Sequence, residues 1–283
     1  MTLTQTPPRP ALPAIPRLTL RRDEQRALAI ELEALLEDRL ATRTQRFRCG
    51  TALFNEDYPR AGALNVLRVD GDVPAVEPEA LMSFVDQLQS GLPQRSIRIV
   101  DDEHAAQLRP GFAAAGWVAT QRTLMAPRRI PDRPVDVSAI REVPLEQLRQ
   151  ARAITLRREH RDLDSAEQLE SANVLPAGDV ELRCFAATVG TEVAAYAVAR
   201  VRGEVAKLTE LDAFARSQGQ GLGRAVIWGA VSRLREAGVR TLVVEADDGS
   251  WPQWTFRRLG FEEIGHTHRF VRPWGGESAP PPA

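Results

Sequence analysis

The spacing of hydrophobic residues predicts alternating helices and strands in the first half of the chain. Leucine and isoleucine recur at i, i+3 and i+4 between residues 22 and 43, among many charges, which is the pattern of an amphipathic helix. Shorter patterns predict strands at 63–69, at 96–100 and from Trp117 onward, and helices at 77–89 and 103–115. Three prolines in the segment 126–136 then indicate a linker between two domains.

The second half of the chain begins the same alternation again. Its patterns predict strands at 135–142, 180–189, 192–201, 206–214 and 241–246, and a last strand pair that ends at Arg272. They also predict helices at 145–159, up to about Asn173, at 222–237 and up to Leu259. The two halves therefore use a similar order of elements.

A short motif occurs in both halves and indicates an internal duplication. Val100 and Gly116 are sixteen residues apart, as are Val244 and Gly260, and an aromatic residue follows each glycine. From the repeat and the linker we expect a proline-rich leader at 1–16, an N-terminal domain at 17–130, a C-terminal domain at 131–274 and a tail at 275–283. The composition of the leader and of the tail predicts disorder.

Composition narrows the classes of function. The 283 residues are 43% hydrophobic with a formal net charge of −1, so they can form a core and carry no cationic surplus for binding nucleic acid. No apolar run reaches the length of a membrane span, and the first sixteen residues lack the apolar region of a secretory signal. Cys49 and Cys184 lie far apart without metal-ligand spacing, which argues against a disulfide or a zinc site and for a soluble cytoplasmic protein.

The segment 208–226 carries the strongest functional signal. An alternating strand leads into a turn with Gly219, Gly221 and Gly223, and a helix follows at once. Glycine permits positive φ and removes the Cβ atoms that would keep a bulky anion from the main chain. The free N–H groups and the dipole at a helix start also favour an anion, so the turn is suited to a diphosphate. It lacks the ending of a Walker A loop, and a Rossmann fingerprint would need glycine where Arg224 stands. A glycine-rich loop without a ligand is the remaining alternative.

The hexad Gln218-Gly219-Gln220-Gly221-Leu222-Gly223 resembles the Q/R-x-x-G-x-G/A signature of the GCN5-related N-acetyltransferases, the GNAT superfamily. The flanking strands, the helix after the hexad and the sequence Leu259-Gly260-Phe261 are similar to that family as well, specifically over about 180–265. The resemblance implies an α/β fold of two tandem GNAT-like domains, each with a mixed, mostly antiparallel sheet flanked by helices. This tandem arrangement is similar to that of mycothiol synthase.

The resemblance also implies acetyl-CoA as co-substrate, with no metal. Leu211 and Ala213 would pair with the pantetheine arm, and Ser250 could donate to the same molecule. The diphosphate would lie against the residues of the hexad and the arginine after it. These implied contacts are Gln218, Gly219, Gln220, Gly221, Leu222, Gly223 and Arg224.

The family's catalytic groups map onto the strand before the hexad. Its members often use a carboxylate there as base, for which Glu210 is the first candidate and Asp212 the second; a role in substrate binding or mere exposure to solvent is the alternative for both. The N–H of Ala213 would meet the oxyanion. The tyrosine that often protonates the thiolate is replaced by Phe256. Either the thiolate leaves unassisted, or another group protonates it, or the site does not acetylate.

Other features give weaker indications. The loop Gly71 to Pro78 of the first half lacks alternating glycines and contains acidic residues and two prolines, so we expect one cofactor site, in the C-terminal half. His160 lies in a loop that lines the acceptor site in the family, although a solvated polar loop is the commoner explanation. His266 and His268 alternate on the closing strand without a third ligand, so no metal is expected. Two tryptophans, at 251 and 254, are expected in the core or its rim.

The sequence therefore predicts an acyl-CoA-dependent N-acetyltransferase that moves acetyl from acetyl-CoA to an amine of a small molecule. We expect the acceptor in a cleft bounded by residues 157–172 and the face between the domains. No nucleic acid or membrane partner is expected, and a homodimer is compatible with the sequence. The alternatives are a non-catalytic acyl-CoA-binding sensor or partner, and an acyltransferase with a different donor, such as a larger acyl-CoA or an aminoacyl-tRNA.

Overall fold

The computed structural model describes residues 20–70, 76–159, 162–214 and 221–273. These residues form seven helices: α1 (Arg22–Leu40), α2 (Pro78–Leu88), α3 (Asp102–Ala114), α4 (Leu145–Glu159), α5 (Leu163–Ala172), α6 (Leu222–Glu236) and α7 (Trp251–Arg258). They form eleven strands: β1 (Arg43–Phe47), β2 (Gly50–Phe54), β3 (Val66–Val69), β4 (Gln94–Ile99), β5 (Val118–Pro127), β6 (Arg141–Val143), β7 (Glu181–Val189), β8 (Glu192–Arg202), β9 (Val205–Ala213), β10 (Thr241–Asp247) and β11 (Phe261–Pro273).

All of these strands belong to one sheet, in the order β1-β2-β3-β4-β11-β5-β10-β9-β8-β7-β6. Within the described residues, β3 pairs with β4 and β9 with β10 in parallel, and the other neighbours are antiparallel. Helices cover the sheet, and β8 shows both faces: Ala197 packs in the cluster with α6, whereas Tyr196 and Val198 pack in the cluster with α4. The prediction of a mixed α/β fold with a mostly antiparallel sheet and a tandem arrangement is confirmed.

The two halves exchange their last strands. β11, the last strand of the second half, pairs with β4 of the first half from His268–Ile99 to Pro273–Gln94. β5, the last strand of the first half, lies between β11 and β10. Each half therefore completes the sheet of the other.

The cores follow this exchange. Phe270 of β11 lies in the hydrophobic cluster of the first half, where its ring centroid is 4.7 Å from that of Phe112 on α3. The cluster of the second half lies between α6 and the sheet and includes the fully buried Trp228, Phe185 and Phe261. Both clusters depend on the strands that cross between the halves, because Met125 of β5 belongs to the second cluster.

Most predicted elements are present within a few residues, and three differ. The strand predicted at 135–142 is limited to β6, because the Ser138 N–H donates to Asp136 Oδ1 at 2.9 Å and closes a turn before it. The hairpin of β1 and β2 was not predicted, because β1 is exposed and polar throughout most of its length. The predicted last strand pair is a single strand, β11, with a register shift between Glu263 and Gly265.

Several predicted segments fall outside the described residues: the leader at 1–16, the tail at 275–283 and part of the turn after β3, residues 71–75. The predicted domain boundary near residue 130 lies between β5 and β6. No helix in the described part of the chain combines the length and the apolar character needed to cross a bilayer.

Candidate functional site

The parallel strands β9 and β10 separate partway along their length. They pair from Val205–Thr241 to Lys207–Val243. β9 continues to Ala213 and β10 to Asp247, and the described residues show no further pairing between the two strands. β8 pairs with the other edge of β9, so this edge presents main-chain N–H and C=O groups to the gap. A ligand chain with amide groups can pair with such an edge.

The start of α6 lies at the end of β9. An added Cβ on Gly223 would lie 3.2 Å from the Cβ of Ala213, so glycine permits this close approach. Gly221 has φ 72° and ψ 9°, a left-handed conformation that favours glycine, and an added Cβ there meets no atom within 4 Å. Among the described residues no side chain caps α6, and its first turn holds no acidic residue. The first N–H groups of α6, which lack intrahelical partners, can therefore bind an anion.

Of the remaining predicted diphosphate contacts, three lie outside the described residues and Arg224 is paired with an aspartate. Gln218, Gly219 and Gln220 lie outside the described residues, as does His160. Arg224 donates from Nη2 to Asp132 Oδ1 at 2.5 Å. Asp132 also accepts from Arg258 Nε at 2.9 Å, and these two hydrogen bonds hold the pKa of its carboxyl below the usual range, with Arg258 contributing more. Nη2 of Arg224 is therefore held by Asp132.

Glu210 on β9 is held by a buried arginine. Arg152 of α4 donates from Nε to Glu210 Oε2 at 2.8 Å and from Nη2 to Oε1 at 2.9 Å. The two side chains are 3% and 8% exposed. Arg152 Nη2 also donates to the carbonyl of Glu170 on α5 at 2.9 Å. The pair therefore joins β9, α4 and α5, and both oxygens of Glu210 already accept hydrogen bonds.

Asp212 is the centre of a second cluster at the end of β9. Its Oδ2 accepts from Thr155 Oγ1 and, at 3.0 Å, from Arg158 Nη2, both on α4. Its Oδ1 accepts from the N–H of Ala213 at 2.8 Å. The amide predicted to stabilise an oxyanion therefore has an internal acceptor in the absence of a ligand.

Sequence reasoning missed two residues beside this cluster. Tyr196 of β8 stands opposite Asp212 and is 1% exposed, and burial raises the pKa of its phenol against the opposing effect of Thr155. Glu159, at the end of α4, has a pKa raised first by burial and then by the nearby Asp212 and Glu210 carboxylates, against the opposing Arg158. About half of the Glu159 side chain is exposed, 52%, so it can reach solvent or substrate. The sequence gave no signal for Glu159, because it is a single glutamate at the end of a predicted helix.

α7 lies beyond the end of β10. Ser250 caps it, accepting from the N–H of Gln253 at 3.5 Å. Phe256 is 2% exposed and packs against Phe261 with ring centroids 5.4 Å apart. The phenylalanine thus serves the core and offers no hydroxyl. The tryptophans expected in the core or its rim are exposed instead, Trp251 by 78% and Trp254 by 59%, because both lie on the outer side of this short helix.

The described residues of the first half show no corresponding gap. β3 and β4 pair in parallel up to Val69 and Ile99, where both strands end. The following helix, α2, begins at Pro78, which has no N–H, directly after Glu77. A cavity of about 170 Å³ near this helix start is lined by residues that include Val69, Glu77 and Leu108. These features disfavour a diphosphate in the first half.

The two histidines considered as metal ligands, His266 and His268, lie beside acidic side chains. His268 Nε2 lies 2.8 Å from Asp102 Oδ1, and His266 Nε2 lies 3.2 Å from Glu263 Oε1. Within the described ranges, no group of three or more histidine, cysteine, aspartate or glutamate side chains is arranged to hold a metal ion. Cys49 and Cys184 are buried free thiols, and burial raises the pKa of Cys184 to about 11.

Comparison with known proteins agrees with this geometry. The family model described as "Acetyltransferase (GNAT) family" matches residues 145–261. A GCN5-related N-acetyltransferase from Kribbella flavida is 17% identical with a TM-score of 0.61, and the match covers 89% of this chain and 96% of that one. A functionally unknown conserved protein from Staphylococcus epidermidis is 14% identical with a TM-score of 0.62, covering 82% and 94%.

A third solved structure has the same tandem arrangement. It is described as a tandem GNAT protein from the clavulanic acid biosynthesis pathway, is 17% identical with a TM-score of 0.54, and covers 89% of this chain and 94% of that one. At these identities the likeness shows the fold. No curated protein matches the sequence.

Proposed function

We propose that this protein moves an acetyl group from acetyl-CoA to the amine of a small molecule, because residues 145–261 match the acetyltransferase (GNAT) family model. The observation that carries the proposal is the gap between β9 and β10, with the uncapped start of α6 beside it. The fold itself indicates an acyltransferase. The acetyl donor, the amine acceptor and a cytoplasmic location are our inferences.

The residues of the gap fit the two polar parts of acetyl-CoA. The free edge of β9 at Leu211 and Ala213 offers main-chain groups to the amides of the pantetheine arm. The first N–H groups of α6, after Gly221, offer donors to the diphosphate. We retain Gln218, Gly219 and Gln220 as further contacts from the sequence, with Leu222, Gly223, Arg224 and Ser250 in the same role.

The transfer needs a proton acceptor and an oxyanion donor. The amine nitrogen attacks the thioester carbonyl, the C–N bond forms, the C–S bond breaks, and the coenzyme A thiolate leaves with the electron pair. The N–H of Ala213 is our candidate oxyanion donor, after it leaves the Asp212 carboxylate. Glu159 is our candidate acceptor for the amine proton, because its raised pKa and half-exposed position suit a base.

Glu210 and Asp212 are the alternative bases that the sequence indicates. The bidentate ion pair with Arg152 favours Glu210 as a positioning residue that fixes β9 against α4. The contacts of Asp212 with Thr155 and Arg158 favour a similar role. A pH profile of each variant distinguishes a base, whose loss removes the acidic limb, from a positioning residue, whose loss lowers the rate at every pH.

A pair of matched variants tests the diphosphate site. Gly221→Glu places a carboxylate beside the start of α6; two unit charges 4 Å apart repel by about 4 kcal/mol at an effective dielectric constant of 20, so we expect coenzyme A affinity to fall by roughly 100-fold or more. Gly190→Glu is the control, since Gly190 has a similar φ, 63°, and also has open space around it. Isothermal titration calorimetry measures both affinities. Equal affinity in the two variants would refute the assignment.

The buried Phe256 favours one other function, a non-catalytic acyl-CoA sensor, because it removes the usual proton donor to the thiolate. Protein, acetyl-CoA and a panel of amines are mixed, and free thiol is followed. Thiol release that depends on one amine supports the enzyme. Tight coenzyme A binding without turnover supports the sensor, and turnover with a longer acyl-CoA or an aminoacyl-tRNA identifies another donor.

A further inference from the structure

A cavity of about 300 Å³ lies between α1 and the sheet, and residues of both halves line it. Arg200 and Lys207, which face each other across β8 and β9, belong to its wall. Val198, two residues from Arg200 on β8, stands opposite Glu210, so Glu210 lies on the same face of the sheet. The wall also includes Leu208 and Thr209, where β9 parts from β10. The cavity therefore adjoins the proposed transfer site.

The charged side chains of the wall are predominantly cationic. Five are arginine or lysine and three are glutamate: Arg98, Arg122, Arg200, Lys207 and Arg269 against Glu33, Glu37 and Glu245. Lys207 Nζ contacts two of the glutamates, Glu33 at 2.8 Å and Glu245 at 3.0 Å. Arg200 donates to two main-chain carbonyls. The glutamates thus leave part of the positive charge in the wall without a carboxylate partner.

Arg98 and Arg269 are two of these cations and lie on neighbouring strands. They stand directly opposite each other on β4 and β11, an arrangement in which like charges destabilise a sheet. Arg98 Nη2 donates to Glu37 Oε2 at 2.7 Å, but its Nε and Nη1 are buried without a hydrogen-bond partner in the described chain. The described contacts give Arg269 one hydrogen bond, from Nε to Ser96 Oγ at 3.1 Å, and no ion pair. Burial, with Arg122 nearby, lowers the pKa of Arg269 to about 10.

We propose that Arg98 and Arg269 bind an anionic group, a carboxylate or a phosphate, of the amine that is acetylated. The inference rests on the proposed function and names its class of acceptor. β5 and β10 lie between β11 and β9, so three interstrand spacings of about 4.8 Å separate the arginine pair from the transfer site, about 14 Å in all. The acceptor therefore carries its amine and its anionic group on the order of 10 Å apart, the length of about three to four residues of extended chain.

Triglycine and its C-terminal amide test the proposal, because they differ in the carboxylate alone. Calorimetry without acetyl-CoA measures the binding of each, and thiol release measures acetylation. We expect triglycine to bind roughly 10- to 100-fold more tightly than triglycinamide, since hydrogen bonds to a charged group are the strong ones. Acetate and inorganic phosphate, added as competitors, distinguish a carboxylate from a phosphate as the preferred anion.

The variants Arg269→Gln and Arg269→Lys are compared with Arg235→Gln. Arg235 is a half-buried arginine at the other end of α6 that donates to the carbonyl of Pro127 at 3.0 Å. We expect Arg269→Gln to abolish the preference for triglycine, Arg269→Lys to retain part of it, and Arg235→Gln to leave it unchanged. Coenzyme A affinity stays constant in all three variants.

The binding and transfer measurements distinguish failure of the anion site from failure of the proposed acetyl transfer. If triglycine binds through Arg269 but no amine releases thiol, the anion site stands and the proposed acetyl transfer fails. If amines are acetylated but triglycine and triglycinamide behave alike, or Arg269→Gln changes neither, the anion site is wrong and the proposed function stands. Failure of both anions to compete with triglycine also overturns the anion site.

Discussion

Replacing Glu210 by glutamine tests whether its ion pair with Arg152 positions the site. The pair is bidentate, with N···O distances of 2.8 and 2.9 Å, and its side chains are 8% and 3% exposed. Glutamine keeps the shape of glutamate but leaves the guanidinium without a countercharge. Loss of one partner of a buried pair costs about 3–5 kcal/mol, and we expect the lower end because the amide oxygen still accepts one hydrogen bond.

A double-mutant cycle separates the pair from the rest of its surroundings. Arg152→Met removes the cation and also costs about 3 kcal/mol, because Glu210 is then buried alone. Arg152→Met with Glu210→Gln together should cost about 2 kcal/mol less than the sum of the single variants. The control pair is Arg158 and Asp212, where the arginine is 55% exposed, so the same cycle should give about 1 kcal/mol or less.

Urea unfolding measures each free energy by linear extrapolation, and initial rates of thiol release measure activity in conditions where each variant is folded. If Glu210 positions β9, Glu210→Gln lowers the rate by a similar factor at every pH and keeps the acidic limb of the profile. Unchanged unfolding free energy, combined with loss of that acidic limb, would refute the positioning role and identify Glu210 as the base.

The remaining predictions concern one residue each. Glu159→Gln should remove the acidic limb of the pH–rate profile, whose midpoint in the unmodified protein lies above 4.5 because the pKa of Glu159 is raised; a retained limb contradicts its role as base. Lys207→Met should cost about 3–5 kcal/mol at neutral pH. Burial disfavours ionised Glu245, but Lys207 and Arg122 outweigh burial and hold the pKa of Glu245 to about 2. The stabilisation by this ionised carboxylate is present above pH 4.5 and is lost as the pH falls toward 2. The difference in urea unfolding free energy between Lys207→Met and the unmodified protein should therefore shrink over that range. Gly260→Ala should destabilise the protein more than Gly238→Ala, because both have positive φ but an added Cβ at Gly260 would lie 2.2 Å from the carbonyl oxygen of Arg129; equal melting temperatures would contradict this.

Local patterns predicted the elements because their causes are local. The period of apolar residues sets helices such as α4 and α6, and Gly221 of the hexad has the left-handed conformation that favours glycine. The ion pair of Glu210 with Arg152 could not be predicted, since 58 residues separate its partners along the chain. The strand exchange escaped prediction for a similar reason. Both closing strands carry the same pattern, and periodicity does not determine which neighbour each strand pairs with.

The strand exchange gives the first half a part in the proposed site although it lacks a cofactor gap of its own. β11 belongs by sequence order to the half that contains the gap, yet it pairs with β4, and this pairing sets Arg269 opposite Arg98. Without the exchange, β11 would not pair with β4, and the two arginines would not stand opposite each other. The first half thus contributes residues such as Arg98 to the wall of the cavity. In the proposed function, the second half offers main-chain N–H groups to a diphosphate, and the junction of both halves offers guanidinium groups to the second substrate.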